Sequence, residues 1–270
     1  MDLIQKLSKK LIYIIIMYKL FISTPCYDAM VSMQYTISLL NLSNLLNKNN
    51  IEFVIDFIGN ESLIPRARNK ILNNFIKSNF THILFIDADL EFSAEAVLDL
   101  LKFNKDVVSC VYPKKGINFQ KLIYSIMNDK SNESLDSRGL DFAYNILHDK
   151  NNKIIKNKDF IKARHTSTGF MMIKREIINK LCNNNKDLLI KSDELSKKDE
   201  EYYGLFCCMI KNKQYLSEDY SFCERVLEVN GEVWINIKHN LTHYGKYGFK
   251  SDIKNRSSYN RSLNEKIFYN

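Results

Sequence analysis

Residues 82–89 read HILFIDAD, and this stretch constrains the fold more than any other. After His82, four apolar residues in unbroken succession offer no polar face to water. A strand with that pattern is buried on both sides, as in a sheet covered by helices above and below. The run stops abruptly at Asp87. On either side, strand-like and helix-like segments alternate. Residues 20–23 form a short apolar strand ending at Thr24 and Pro25. Residues 29–46 carry Val31, Tyr35, Leu39, Leu42 and Leu46 at spacings of three and four, a single helical stripe. Residues 51–58 alternate as a second strand, and Pro65 is placed to open a helix reaching residue 78. Ser93 caps a further helix to residue 101, with Glu95 in its first turn, and residues 106–111 form a fourth strand. The succession predicts an α/β fold: a mostly parallel central sheet with helices on both faces.

The remainder is less regular. Residues 114–162 are crowded with Asn, Asp and Lys and read as hairpin strands and loops. Residues 163–173 read as an ordered segment, with Thr168, Gly169 and Phe170 leading into a helix start at MMIKREI, and residues 174–181 read as a helix. Residues 183–201 form a polar insertion, read as a surface loop or lid. Residues 217–230 read as a helix stopped by Gly231, and residues 232–237 as a strand. The expected organisation is an N-terminal extension (residues 1–16), one domain (17–250) and a polar tail (251–270). Lys6, Lys9 and Lys10 ahead of the apolar run 11–17 imitate the start of a signal peptide. The run is shorter than the roughly 20 residues a bilayer requires, and no small-residue cleavage site follows it. The expectation is a cytoplasmic protein, with weak peripheral attachment to a membrane as the alternative.

Six cysteines contain no CxxC pair, which argues against a zinc or thioredoxin site. The formal net charge of +8 comes mostly from lysines scattered among asparagines. Without a zinc finger, a recognition motif or a basic-aromatic stripe, nucleic acid is not an expected partner. Scattered basic groups still suit a diphosphate.

Ligands of such sheets sit beyond the carboxyl ends of the strands, and Thr24, Gly59 and Asp87 all fall there. Asp87 and Asp89, flanking Ala88, offer hard oxygens to Mn²⁺ or Mg²⁺, ions that also bind substrate phosphates. The plainer reading of the pair is a turn that caps the next helix. Ser217, Glu218, Asp219 and Tyr220 open a helix. Acidic residues there complement the helix dipole, or Asp219, with Glu218 beside it, serves as general base toward an acceptor hydroxyl. His243 is a structural histidine or a third ligand beside two carboxylates. Gly245 and Gly248 would let its loop close over a diphosphate. Arg66 and Arg68, near a helix start, are solvated surface groups or forks for phosphate.

Taken together these segments resemble GT-A glycosyltransferases, and among them family 2-like proteins. STPCYD resembles the first strand and its nucleotide-facing loop, ESLIPRARNKI a helix with an ARN signature, and THILFIDADLEF the strand with its DxD motif. TGFMMIKREII resembles the acceptor-side segment, SEDYSFCERVLEVNGEVWIN the ED-containing helix with its following strand, and THYGKYGF the C-terminal metal-ligand loop. The six pieces occur in the family's order over residues 19–249. The departure is the stretch 183–201, which separates the acceptor segment from the ED helix. The resemblance implies a GT-A (nucleotide-diphospho-sugar transferase) fold and a hexosyltransferase-like, inverting transfer from a nucleotide-diphosphate sugar to a hydroxyl acceptor. It implies that Asp87 and Asp89 hold Mn²⁺ or Mg²⁺ and the diphosphate, with His243 as third ligand and Asp219 as base. Thr24, Pro25, Tyr27 and Asp56 would lie near the nucleotide. Two alternatives share the architecture: a nucleotidyltransferase, disfavoured because STPCYDAMVS has no glycine for a phosphate loop, and an inactive sugar-nucleotide-binding module. A glycosidase would need two carboxyls about 5–9.5 Å apart, one of them protonated, which adjacent strand-end aspartates do not promise.

Overall fold

A computed structural model describes residues 18–128, 132–191, 201–245 and 247–255. The expected extension 1–16, the middle of the 183–201 stretch and most of the expected tail lie outside the described residues. In chain order the strands are β1 (Lys19–Cys26), β2 (Glu52–Gly59), β3 (His82–Ile86), β4 (Leu90–Glu91), β5 (Val107–Cys110) and β6 (Pro113–Ile117). Then come β7 (Leu140–Phe142), β8 (Tyr144–Ile146), β9 (Lys156–Asn157), β10 (Phe160–Thr166), β11 (Phe170–Lys174) and β12 (Leu189–Lys191). The last are β13 (Glu201–Tyr203), β14 (Met209–Lys211), β15 (Gln214–Leu216), β16 (Val233–Asn236), β17 (Thr242–His243) and β18 (Phe249–Lys250). The helices are α1 (Met33–Lys48), α2 (Ile64–Lys77), α3 (Ala94–Phe103), α4 (Phe119–Asn128), α5 (Leu135–Arg138), α6 (Arg175–Asn184) and α7 (Glu218–Glu228).

The central sheet runs β2-β1-β3-β11-β5-β16-β10-β8, with β9 beside β10. Strands β1, β2 and β3 are parallel, as are β5 and β16. Strand β11 is antiparallel to both β3 and β5, and β10 is antiparallel to β16, β8 and β9. All strands but β10 and β11 therefore point one way. This is a mixed α/β architecture whose large central sheet is mostly parallel, as expected, with two reversed strands set into it. The ordered segment expected at residues 163–173 supplies a central strand, Phe170–Lys174, inside the stretch read as leading into a helix start, and the helix expected at residues 174–181 begins at Arg175. Four of the strand's five residues are buried between β3 and β5, which favours a strand regardless of the helix that follows.

Helices cover both faces, and alternation along each strand sorts side chains between two cores. On one face Phe21, Ile83, Phe85, Met171, Ile173 and Ile235 pack with α2, α6 and α7 through Ile71, Phe75, Ile178, Leu181, Phe222 and Val226. On the other Leu20, Ile22, Leu84, Ile86, Val108 and Met172 pack with α1 and α3 through Tyr35, Leu42, Leu46, Val97 and Leu100. HILFI thus supplies both cores, as its unbroken apolar pattern requires. Packing continues beyond residue 250: Ser251 and Ile253 are buried, and the Leu241 amide donates to Ser251 Oγ at 3.0 Å. Among the described residues no helix is long and apolar enough to cross a membrane.

Asparagine performs much of the turn-making that glycine usually does. Asn104 (φ 51°) closes α3, and Asn230 (φ 57°) follows α7. The left-handed position after α7 is therefore Asn230, one residue before the expected Gly231. Gly231 is needed for room instead. A Cβ there would lie 2.7 Å from Val226 Cγ1, 2.8 Å from Ile177 Cδ1 and 2.9 Å from the Val226 carbonyl oxygen. Gly231→Ala is expected to cost about 1–3 kcal/mol through overpacking. At this chain length each kcal/mol lowers the thermal midpoint by about 2–4 °C. Calorimetry checks this, and an unchanged midpoint would show that the α6–α7 contact is looser than the geometry requires.

Candidate functional site

The strand order places the end of β3 opposite the start of β11. Phe170 pairs with Ile86, and the Asp87 amide donates to the Gly169 carbonyl at 2.8 Å. A Cβ on Gly169 would lie 2.2 Å from both Asp87 Oδ2 and Tyr112 Oη. Glycine here is required by close approach: its absence of a side chain lets the Asp87 carboxylate fold inward. Asp87 Oδ2 accepts from the Tyr112 hydroxyl at 3.2 Å, and Tyr112 Oη accepts from the Gly169 amide at 3.1 Å. Burial pushes the Tyr112 phenol well up, and the Asp87 charge pushes the same way. It stays a neutral donor.

Asp87 Oδ1 accepts from Arg68 Nη2 at 3.3 Å. Arg68, on the first turns of α2, is 5% exposed and brings its Nη1 to 3.3 Å from Glu218 Oε1 at the start of α7. One buried guanidinium thus joins a strand end to a helix start. Burial works against its charge, but Asp87, Glu218 and Asp219 outweigh burial and hold it ionised. Glu218 is shifted up, first by burial and then by Asp219 and Asp87, with Arg68 opposing. Asp219 Oδ1 accepts from the Tyr220 amide at 2.8 Å and from the Ser217 hydroxyl. Ser217 occupies the N-cap position without capping the helix through its side chain. Its hydroxyl fixes Asp219 instead.

Asp89 faces a different set of partners. Its Oδ2 is ion-paired with Lys115 of β6, and its Oδ1 lies 3.2 Å from His243 Nε2. His243 is carried to this point by β17, which pairs with β4 just after the DAD turn (His243 with Leu90, Thr242 with Glu91). The Tyr244 amide donates to the Asp89 carbonyl at 2.8 Å. Burial alone would raise the Asp89 pKa, but His243 and Lys115 outweigh it and lower the pKa below the usual carboxylate value. His243 Nδ1 lies 2.8 Å from the Pro113 carbonyl oxygen. A carbonyl only accepts, so Nδ1 carries a proton, and Nε2 is the ring nitrogen turned toward Asp89. A lone pair and a carboxylate oxygen at that separation repel unless a proton or a metal ion lies between them. Asp89 and His243 therefore suit a divalent cation, with oxygen and imidazole donors from two elements.

The remaining residues singled out in the sequence fall into neighbouring places. Thr24 Oγ1 lies 2.5 Å from Tyr35 Oη, Pro25 is buried, and Tyr27 is exposed. Asp56 Oδ2 accepts from Ser23 Oγ at 2.9 Å. The connection from β1 to α1 touches the DAD turn where the Ser32 amide donates to the Ala88 carbonyl at 2.8 Å. Arg66 faces elsewhere and forks onto Glu61, both bonds at 2.8 Å. Lys70 meets the same carboxylate, and Arg66 leads in pushing its pKa down to about 2. The structure thus gathers Asp87, Arg68, Glu218 and Asp219 into one cluster and Asp89 with His243 into another, joined at Ala88. Among the described residues no three His, Cys, Asp or Glu side chains converge on one point, since Asp87 turns toward Arg68 and Tyr112. Tyr112 and Lys115 escaped the sequence reading. The signal was their position: YPKK follows a buried strand at the same sheet edge as Asp87.

No protein family matches the chain, and no curated protein does. Among solved structures it is similar to the inositol-1-phosphate CTP transferase from T. maritima, with a TM-score of 0.37 and 10% sequence identity over 93% of each chain. At that level neither a fold family nor an activity transfers, and the functional reading rests on the site.

Removing Arg68 tests the cluster. Arg68→Met leaves carboxylates without their buried partner, at a cost of about 3 kcal/mol at neutral pH. It also removes the one influence that lowers the Glu218 pKa through a nearby charge. A carboxyl whose pKa is higher folded than unfolded favours folding increasingly as pH falls through it. The stability gap between variant and parent is therefore expected to narrow between pH 7 and pH 5. Urea midpoints at the two values check it, and a gap that widens on acidification would contradict the arrangement.

Proposed function

We propose that this chain is a metal-dependent glycosyltransferase of GT-A type, moving a sugar from a nucleotide-diphosphate donor to a hydroxyl acceptor with inversion. The observation that carries the reading is the division of labour at the end of β3. Asp89 and His243 present an oxygen and a nitrogen suited to one cation, while Asp87 is tied through Arg68 to the carboxylates that open α7. Donor and acceptor functions then sit on opposite sides of Ala88.

Asp89 and His243 would hold Mn²⁺ or Mg²⁺, which supplies neutralisation of the charge developing on a leaving diphosphate. Thr24, Pro25, Tyr27 and Asp56, on the edge joined to Ala88 through the β1–α1 connection, would take the nucleoside. Arg68 and Tyr112 hold Asp87 in a fixed orientation. Asp219, kept in place by Ser217 and the Tyr220 amide, would accept the proton of the attacking hydroxyl. Glu218, shifted up and salt-bridged to Arg68, is the less suitable base. A cavity of 260 Å³ lined by Arg164, His165, Lys211, Gln214 and Glu224 offers the acceptor a polar berth. Its wall reaches α7 where Tyr220, next to Asp219, stacks on His165 at 4.5 Å.

Incubation with a panel of nucleotide sugars and Mn²⁺ tests the reading through its products. Glycosyl transfer or hydrolysis releases a nucleoside diphosphate. A nucleotidyltransferase would instead consume a nucleoside triphosphate and release pyrophosphate, and that outcome would replace the proposal. Asp219→Asn is expected to slow transfer about 100-fold or more while donor affinity stays near that of the parent. Asp89→Asn is expected to weaken Mn²⁺-dependent donor binding itself, as seen by calorimetry. Normal turnover by Asp219→Asn would reduce Asp219 to a helix-start residue.

A further inference from the structure

We infer that Lys115 is a tethered cation occupying the metal face of Asp89, so that its ammonium and a divalent ion exclude each other there. The inference rests on the reading that Asp89 and His243 hold a cation. The two aspartates of the DAD turn are neutralised in different ways. Asp87 is served by Arg68, whose side chain is 6% exposed and anchored at both ends by carboxylates. Asp89 is served by Lys115, whose side chain is 38% exposed and whose ammonium rides on a flexible four-carbon stem. An exposed pair of this kind adds little stability and is easily exchanged. One partner is fixed and the other is replaceable.

Strand β6 sets both halves of the arrangement. Its Pro113 carbonyl accepts from His243 Nδ1 and so turns Nε2 toward Asp89 Oδ1, and its Lys115 covers Asp89 Oδ2. The Lys115 stem runs past Gly245, where a Cβ would stand only 3.2 Å from Lys115 Cδ. The histidine and the ammonium thus converge on one carboxylate, with Gly245 against the lysine stem. A divalent ion seated between Asp89 and His243 would meet the ammonium at close range, and like charges there repel strongly. Lys115 must then leave. Its stem keeps it at the mouth of the site, where an anionic diphosphate would be its next partner.

The test uses the full chain and Mn²⁺ alone, with free Mn²⁺ read by electron paramagnetic resonance. Lys115→Met is expected to bind Mn²⁺ at least about tenfold more tightly than the parent, because a competing positive charge is gone. Lys115→Arg keeps the charge and is expected to stay near the parent. Adding Asp89→Asn to Lys115→Met should abolish the gain. Lys115→Gln, with folding followed by circular dichroism, repeats the measurement should the methionine variant fold poorly. Equal or weaker binding by both neutral variants, or an equal gain in Lys115→Arg, overturns the inference. If the parent shows Asp89-dependent Mn²⁺ binding in that case, the metal reading stands alone. If no variant binds Mn²⁺, both readings fall.

Discussion

The site is organised around one buried positive charge. Arg68 lies at the junction of α2, the end of β3 and the start of α7, touching Asp87 and Glu218 at 3.3 Å each. Burying a guanidinium is costly unless carboxylates surround it, and burying carboxylates is costly unless a cation answers them. Each group here makes the others tolerable. The same contact connects elements far apart in sequence, because α2 follows β2 whereas α7 follows the β14–β15 hairpin. Asp219 acquires its position as part of this arrangement.

Strand β11 completes the frame. Its antiparallel insertion between β3 and β5 brings Gly169 onto Asp87, and the missing side chain lets Tyr112 reach across. A larger residue would push the carboxylate out of the pocket that Arg68 and Tyr112 define. The Asp87 orientation is therefore a product of sheet topology as much as of the DAD motif. Asp89, two residues on and past the strand end, escapes this control and is left to β6 and β17.

What could be read from the sequence follows from how local each signal is. HILFI declared itself because a doubly buried strand has no polar face, and it matches β3 residue for residue. The stripe of Tyr35, Leu39, Leu42 and Leu46 marked α1, and Pro65 marked the first turn of α2. FMMIK declared itself only as an ordered segment, since a short apolar run beside a helix fits either state and only its place between β3 and β5 decides. Helix α4 was read as loop: its apolar residues Phe119, Ile123, Ile126 and Met127 face outward, and a helix without a buried stripe gives no core signal. In the site, Asp87, Asp89, Asp219 and His243 were visible as motifs. Their partners were not. Arg68 was singled out as a phosphate fork, yet here it binds carboxylates of its own chain, and Lys115 and Tyr112 depend on contacts across long sequence separations.

Anomalous scattering from crystals grown with Mn²⁺ and a nucleoside diphosphate bears most directly on the claim that the end of β3 is a donor site. A single manganese peak bonded to Asp89 and His243 Nε2, at the roughly 2.0–2.2 Å expected of such oxygen and nitrogen ligands, with the diphosphate beside it and the nucleoside toward Asp56, is the predicted result. A peak elsewhere, or a diphosphate held away from the DAD turn, would contradict it.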